Sequence, residues 1–215
     1  QIYRHIEVML DDVTGQGQMV VQDRCSTFPL RQVSRGGHLN RGEAANLGLA
    51  SARGDFVLFL DDDDWLLPDH VDALAQALLR SPGFQAAYAG VTCRHQLADG
   101  SWETLRTFNE AHDPTRLLLE NYLPIHAVMF ARALVGEAVR FDETLQVYED
   151  WDFWIQLTGL TDFLHVDRLT AIYRIAEQSG FGVRDGQPEA LAGLKALLEK
   201  WRPRWTLDQL VAISL

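Results

Sequence analysis

The sequence is poor in cysteine, in long apolar runs and in basic charge. Its two cysteines, Cys25 and Cys93, lack the paired spacing of a zinc site and are too few for a disulfide scaffold, so a reducing compartment is the simple interpretation. No apolar run approaches the roughly 20 residues that span a bilayer. The 19 basic residues face 30 acidic ones, and the net charge of -11 argues against a broad nucleic-acid-binding surface.

What the sequence does contain is typical of a globular protein. Hydrophobic residues make up 47% of the chain and charged residues 23%, and 215 residues suffice for one α/β domain with a sizeable core. The acidic balance is compatible with an anionic small ligand, because a metal ion and a few local arginines can hold one.

The hydrophobic pattern predicts alternating strands and helices. The apolar run 56–60, bounded by Gly54-Asp55 and by acids, is typical of a strand that is buried on both faces. Strands are predicted over 6–10, 29–34, 56–60, 85–94, 102–108, 126–130 and 164–173, and helices over 43–52, 115–120, 151–160, 189–201 and 207–213, with another helix opening at Pro68. The order strand, helix, strand, acidic turn, helix indicates a parallel sheet with crossover helices.

Four consecutive aspartates, Asp61 to Asp64, directly follow the apolar strand. Close carboxylates repel one another by about 1 kcal/mol per pair even in water, and a hard divalent cation offsets this repulsion because it prefers carboxylate and phosphate oxygens. Ligands of open α/β sheets bind at this end of the strands. The other interpretation is a solvated acidic loop in which Asp64 or Asp69 caps the next helix.

A second acidic pair, Glu149-Asp150, precedes the aromatic stretch Trp151 to Trp154. Acids at a helix start are commonly explained by capping and by the helix dipole. The functional interpretation is that one of the two carboxylates accepts a proton from an attacking hydroxyl. The residues alone leave both interpretations open.

Taken together, these segments resemble the family 2 glycosyltransferases, inverting enzymes with the GT-A fold. The resemblance runs from Gln1 to about Arg174, and the order and spacing of its segments make it specific. The matching segments are Ile6–Asp12, Arg41–Gly48 with Ala52–Asp55, Leu60–Trp65 with Pro68–His70, Phe141–Glu143 with Glu149–Trp154, and Ile172–Arg174.

The resemblance implies a role for each acid. Asp12 would lie near the base or ribose of a nucleotide, Asp61 near the ribose or the metal, and Asp63 on the metal, which would be Mn²⁺ or Mg²⁺. Asp150 would be the general base, and Glu149 would shape the acceptor side. The implied nucleotide-sugar-binding residues are Asp11, Asp12, Arg41, Asn46, Asp61 and Asp62, and the implied metal ligands are Asp61 and Asp63.

The resemblance also implies the architecture and the reaction. A single GT-A domain over 1–215 would have a Rossmann-like, mostly parallel central sheet flanked by helices and a smaller mixed sheet on the acceptor side. Residues 1–84 would form the nucleotide-binding half, 85–180 the acceptor and catalytic half, and 181–215 the C-terminal helices. The donor would be a nucleotide-diphospho-sugar, most often a UDP-sugar in this family, and the acceptor a glycan or a lipid-linked glycan in polysaccharide assembly.

The first strand and first helix of the resembled family have no counterpart in the sequence, which opens at Gln1. Without that strand, two neighbouring strands would lose hydrogen-bond partners, and unpaired buried backbone groups are costly. We expect the natural protein to be longer; the other interpretation is that another segment of the chain fills the gap.

Several alternatives remain from the sequence. A catalytically incomplete GT-A-like module that binds a nucleotide sugar or a glycan is the second function, while a nucleotidyltransferase is disfavoured because no Gly-rich phosphate loop is present. The interpretation of His126 or His165 as a third metal ligand is weaker than that of a histidine whose hydrogen bonds are satisfied within the fold. The expected location is cytoplasmic, and contact of the basic-aromatic segment 201–205 with the inner face of the cell membrane is the open alternative to a solvated helix end.

Overall fold

The computed structural model describes residues 1–11, 28–175 and 187–214, with the side chains of 213 and 214 excepted. Asp12 and Cys25 therefore lie outside the described residues. The strands are β1 Val8–Asp11, β2 Leu30–Val33, β3 Phe56–Leu58, β4 Trp65–Leu66, β5 Ala86–Gln96, β6 Trp102–Phe108, β7 Val128–Ala131 and β8 Phe163–Ile175. The helices are α1 Arg41–Ser51, α2 His70–Arg80, α3 Glu149–Thr158, α4 Pro188–Trp201 and α5 Leu207–Ser214. Within these ranges no helix has the length and apolar character needed to cross a bilayer.

The strands form two sheets. β1 and β2 pair in parallel, and a six-stranded sheet has the order β3-β7-β5-β8-β4, with β6 also paired to β5. The α/β architecture agrees with the prediction, but the central sheet is more mixed than expected, since among the described pairs only β1–β2 and β5–β8 run parallel. A parallel pair needs a long crossover, whereas β5 and β6 are joined by a tight turn at Gly100, whose φ is +83°.

Helix α1 begins with a capping box. The side chain of Asn40 accepts a hydrogen bond from the Glu43 N–H at 2.9 Å, and the Glu43 carboxylate accepts one from the Asn40 N–H at 2.8 Å. A Cβ atom at Gly48 would lie only 2.8 Å from Asp11 Oδ2, so this glycine lets α1 pack closely on the end of β1. The structure thus has α1 where the sequence predicts a helix over 43–52, with its start two residues earlier.

Helix α3 is buried on nearly all sides, as its apolar composition predicts. Phe153, Trp154 and Leu157 are completely inaccessible to solvent, and Trp151 is nearly so. The indole N–H of Trp151 donates to the Leu117 carbonyl, and that of Trp154 donates to the Leu123 carbonyl at 3.0 Å. These contacts fix the axial rotation of the helix whose first residues are Glu149 and Asp150.

A polar network joins α3 to α4. Asp152 is fully buried, and its carboxylate accepts hydrogen bonds from Lys200 Nζ at 2.9 Å, Trp201 Nε1 at 2.8 Å and Gln156 Nε2 at 2.7 Å. Lys200 also reaches Asp142 at 2.8 Å. A buried carboxylate is tolerated only when it is paired and hydrogen-bonded, so α4 supplies the charge that keeps α3 in place.

Replacing Lys200 by methionine is expected to lower the free energy of unfolding by about 2 kcal/mol, because the buried Asp152 loses its cationic partner. Urea denaturation measures the change. The matched control is Lys195→Met on the same helix, where the exposed pair with Glu199 spans 3.7 Å and should contribute no more than about 0.5 kcal/mol. Equal losses in the two variants would contradict the pairing, and Asp152→Asn in the Lys200→Met background should recover part of the loss.

Candidate active site

Two acidic segments that are distant in the chain meet at one guanidinium. Arg41, the first residue of α1, places Nη2 2.8 Å from Asp61 Oδ2 and Nε 2.5 Å from Glu149 Oε1. Burial disfavours the charged guanidinium, but the charges of Asp61 and Glu149 outweigh this and raise the pKa of Arg41 above its ordinary value. Arg41 therefore stays cationic and ties the turn after β3 to the start of α3.

The acidic turn presents a group of carboxylates that suits a cation. Asp61, Asp63 and Asp64 each offer one carboxylate oxygen, and these three oxygens lie within 4.8 Å of one another. Burial, followed by the charge of Asp64, raises the pKa of Asp63, which is the repulsion expected of crowded carboxylates. Asp62 is exposed and lies outside this group.

Asp64 is part of this group, although the sequence named only Asp61 and Asp63 as metal ligands and offered a cap as the other interpretation of Asp64. Its carboxylate is inaccessible to solvent, accepts a hydrogen bond from the Arg174 N–H at 2.8 Å, and lies 2.9 Å from His126 Nδ1. Helix α2 begins after Asp69, whose side chain makes no capping hydrogen bond. The capping interpretation of this acidic turn is therefore wrong, because Asp64 points into the protein.

The two histidines weighed as metal ligands do not join the carboxylate group. His126 is buried behind Asp64, and His165 stacks on Tyr88 with ring centroids 4.9 Å apart. His165 Nε2 also lies 3.1 Å from Asn109 Oδ1. The neighbours of His165 account for its position, whereas Nε2 of the buried His126 has no hydrogen-bond partner among the described residues.

Asp150 has the properties of a proton acceptor. It follows Glu149 at the start of α3, and the Asn121 amide donates to its Oδ2 at 3.3 Å. Burial, followed by the charge of Glu149, raises the pKa of Asp150 to about 7, and Arg41 opposes this shift. A carboxyl group with a pKa near neutrality is suited to take a proton from a hydroxyl.

The backbone that leads into α3 is strained. Tyr148 has φ 64° and lies in the left-handed region directly before Glu149; it is the one non-glycine residue with positive φ in the described chain. Such conformations cost about 1–3 kcal/mol and concentrate at functional sites. Here the turn brings two consecutive carboxylates to the helix start, facing Arg41.

Tyr173 is a further member of the site to which the sequence gave no role. Burial, followed by the charges of Asp64, Asp150 and Asp61, holds the pKa of its hydroxyl above the ordinary value. Its ring lies 5.7 Å from that of His126, measured between centroids. Side chains of a strand point alternately to its two faces, so every second residue of β8 faces the core. This alternation is the sequence signal that indicates Tyr173 as an inward-facing residue.

The remaining predicted residues lie beside the acidic segments. Asn46 donates to the Phe141 carbonyl and to Glu143 Oε1, both at 2.9 Å, and accepts from the Phe141 N–H, so it pins this loop to α1. Asp11 ends β1 against Gly48, and burial raises its pKa to about 6. The nucleotide contacts expected of Asp11, Asn46 and Asp62 stay predictions, as does that of Asp12.

Comparisons with known proteins identify the family of this chain. The family model described as glycosyl transferase family 2 matches residues 18–135, more than half of the chain. An uncharacterized glycosyltransferase of Haemophilus influenzae is 23% identical over 158 residues, which cover 73% of this chain and 53% of the relative. The uncharacterized glycosyltransferase YwdF of Bacillus subtilis is 22% identical over 153 residues, which cover 70% of this chain and 56% of the relative. The chain thus spans about half the length of these curated relatives.

A solved structure shares the fold. Staphylococcus aureus TarS, residues 1–349 in complex with UDP-GlcNAc, superposes with a TM-score of 0.62 at 18% sequence identity, covering 84% of this chain and 52% of TarS. The predictions of an α/β GT-A fold and of the family are confirmed. This chain belongs to glycosyl transferase family 2.

Proposed function

We propose that this chain binds a nucleotide-diphospho-sugar, with UDP as the nucleotide, and transfers the sugar to a glycan or lipid-linked acceptor with inversion. The observation that carries the proposal is the Arg41 guanidinium, which holds the carboxylate group of the acidic turn and the Glu149-Asp150 pair at one place. A UDP-sugar donor is further supported by TarS, which has been crystallised with UDP-GlcNAc.

The donor set of the acidic turn fits Mn²⁺ or Mg²⁺. Asp61 and Asp63 would hold the ion, and the buried Asp64 adds a third carboxylate within 4.8 Å of both. Burial, followed by the charge of Asp64, raises the pKa of Asp63, and a cation would relieve the part of this shift that comes from like charges. When bound, the ion would supply Lewis-acid neutralisation of charge on the nucleotide diphosphate.

The protein's own groups account for the proton transfer. Asp150 accepts the proton of the acceptor hydroxyl as its oxygen bonds to the anomeric carbon, and the bond from that carbon to the nucleotide diphosphate breaks. Attack on the side opposite the leaving group inverts the configuration of the carbon. Glu149, held by Arg41, fixes the position of Asp150 at the helix start.

Binding and transfer are separable by experiment. Calorimetric titration with UDP and Mn²⁺ measures the donor site, and UDP release from UDP-GlcNAc, with water as acceptor, measures turnover. Manganese-dependent binding together with turnover supports the transferase. Binding without turnover would favour the alternative module that only binds a nucleotide sugar, and the lack of both would refute the proposed site.

Asp63→Asn is expected to weaken manganese-dependent UDP binding by at least about tenfold, because a metal-holding carboxylate is lost. The same titration with EDTA gives the metal-independent affinity, which should change little. Asp55→Asn is the matched control, since Asp55 is exposed at the opposite end of β3 and the charge change is identical. Equal weakening in both variants would show that the charge, and not the metal site, matters.

Asp150→Asn is expected to keep UDP binding and to lower turnover by at least about a hundredfold, the range of general base catalysis. Glu189→Gln is the control: Glu189 is an exposed acid in the first turn of α4, so that variant loses a comparable helix-dipole interaction without touching the site. Normal turnover by Asp150→Asn would remove the base assignment.

The pKa of Asp150 predicts how kcat/KM falls at low pH, which is the acid limb of the pH profile. Because only the carboxylate accepts a proton and burial raises its pKa to about 7, kcat/KM should fall about tenfold per pH unit below pH 7 and level off above it. Asp150→Asn should abolish this limb. An acid limb of the native protein centred at pH 5 or below would contradict the assignment.

A further inference from the structure

Two arginines lie side by side on one face of the six-stranded sheet. Arg94 of β5 and Arg174 of β8 are Cα partners in the parallel register, so their side chains leave neighbouring strands in the same direction, about 5 Å apart at the backbone. Neither forms an ion pair with any residue that the structure describes.

The other face of these strands belongs to the core and to the candidate active site. Cys93 and Tyr173, which flank the two arginines in sequence, pack in the main hydrophobic core. Because successive side chains of a strand point to opposite faces, Arg94 and Arg174 lie on the face turned away from Tyr173. The donor site therefore does not account for them.

Two exposed tryptophans share this face. Trp65 of β4 pairs with Ile172, and Trp102 of β6 pairs with Gln96. Ile172 and Gln96 are each two residues away from an arginine of the same strand, so both tryptophans lie on the face that carries the arginines. Their rings meet edge to face with centroids 5.3 Å apart, and 43% of Trp65 and 38% of Trp102 remain exposed. β4 and β6 are separated by β8 and β5 in the sheet, so this contact shows that the face is concave.

This face carries positive charge in an acidic protein. Arginines that lie within 4 Å of a carboxylate are Arg31, Arg41, Arg106, Arg116, Arg140 and Arg168. Like several other described arginines, Arg94 and Arg174 have no such partner, but these two lie side by side on neighbouring strands of a protein whose net charge is -11. Adjacent like charges repel, and an anionic ligand would remove that repulsion.

We propose that this concave face, formed by Arg94, Arg174, Trp65 and Trp102, binds an anionic saccharide. Guanidinium groups bind carboxylate and phosphate through paired hydrogen bonds. Indole rings offer a rigid apolar surface that fits the C–H face of a sugar ring. The combination selects a ligand that carries both an acid group and a saccharide ring, and it forms a site distinct from the acidic turn.

The face is linked to the acidic turn through the backbone. The Arg174 N–H donates to Asp64 Oδ1, and Trp65 directly follows Asp64 in the chain. A saccharide on this face would be held near the rim of the donor site. Its role as a remote part of the acceptor rests on the proposed function, whereas its binding does not.

Calorimetric titration tests the binding in EDTA and without nucleotide, at constant ionic strength. The probes are glucose 6-phosphate, glucuronate, glucose and inorganic phosphate. At least one acidic sugar should bind at least tenfold more tightly than both glucose and inorganic phosphate. Glucose 6-phosphate alone would identify a phosphorylated ligand and glucuronate alone a carboxylated one. No preference for an acidic sugar over glucose and phosphate would overturn the proposal.

Variants locate the binding on this face. Arg94→Gln/Arg174→Gln should lose at least tenfold in affinity for the acidic sugar, and Trp102→Leu should weaken sugar binding without changing phosphate binding. Arg80→Gln, an exposed arginine of α2, is the matched control. If the double variant is unfolded by circular dichroism, Arg174→Lys replaces it and should still lose affinity, because lysine lacks the paired donors. Unchanged affinity in a folded variant overturns the proposal, and the separate titration of the native protein with UDP and Mn²⁺ reports on the donor site alone.

Discussion

The Arg41 guanidinium is the interaction on which the candidate active site depends. Asp61 after β3 and Glu149 at the start of α3 belong to segments that would repel each other, and Arg41 donates to both, at 2.8 and 2.5 Å. Asp63 lies on the first of these segments and Asp150 on the second. The Arg41 guanidinium therefore also sets the distance between Asp63 and Asp150. The carboxylates proposed to hold a metal and the carboxylate proposed as proton acceptor are thereby brought to the same guanidinium.

The elements that carry these residues are braced from several sides. The capping box at Asn40 fixes the first turn of α1 and with it Arg41. On the far side of α3, the buried Asp152 is matched by Lys200 and Trp201 of α4. Rigid support of this kind holds functional groups in a productive geometry, and it places α4 among the parts that organise the site.

Local pattern predicted most elements, and its failures have physical causes. Helix α3 and strand β3 were recognisable because a long apolar helix and a short apolar run are distinct signals. Strand β4, Trp65–Leu66, has only two residues and leaves no periodicity to detect. The expectation of a mostly parallel sheet gave too little weight to the antiparallel pairing of β7 with β3 and β5, which joins segments far apart in sequence.

By itself, the sequence determined which strands are followed by acidic residues, which helix carries Glu149 and Asp150, and the family to which the chain belongs. Only the tertiary structure decided that Asp64 joins the carboxylate group, that one arginine contacts both acidic segments, and that Arg94 and Arg174 lie side by side on one face of the sheet. Periodicity fixes the direction in which a side chain leaves its own strand or helix. What lies opposite that side chain depends on contacts between distant segments, and the register and packing that create those contacts exist only in the folded chain.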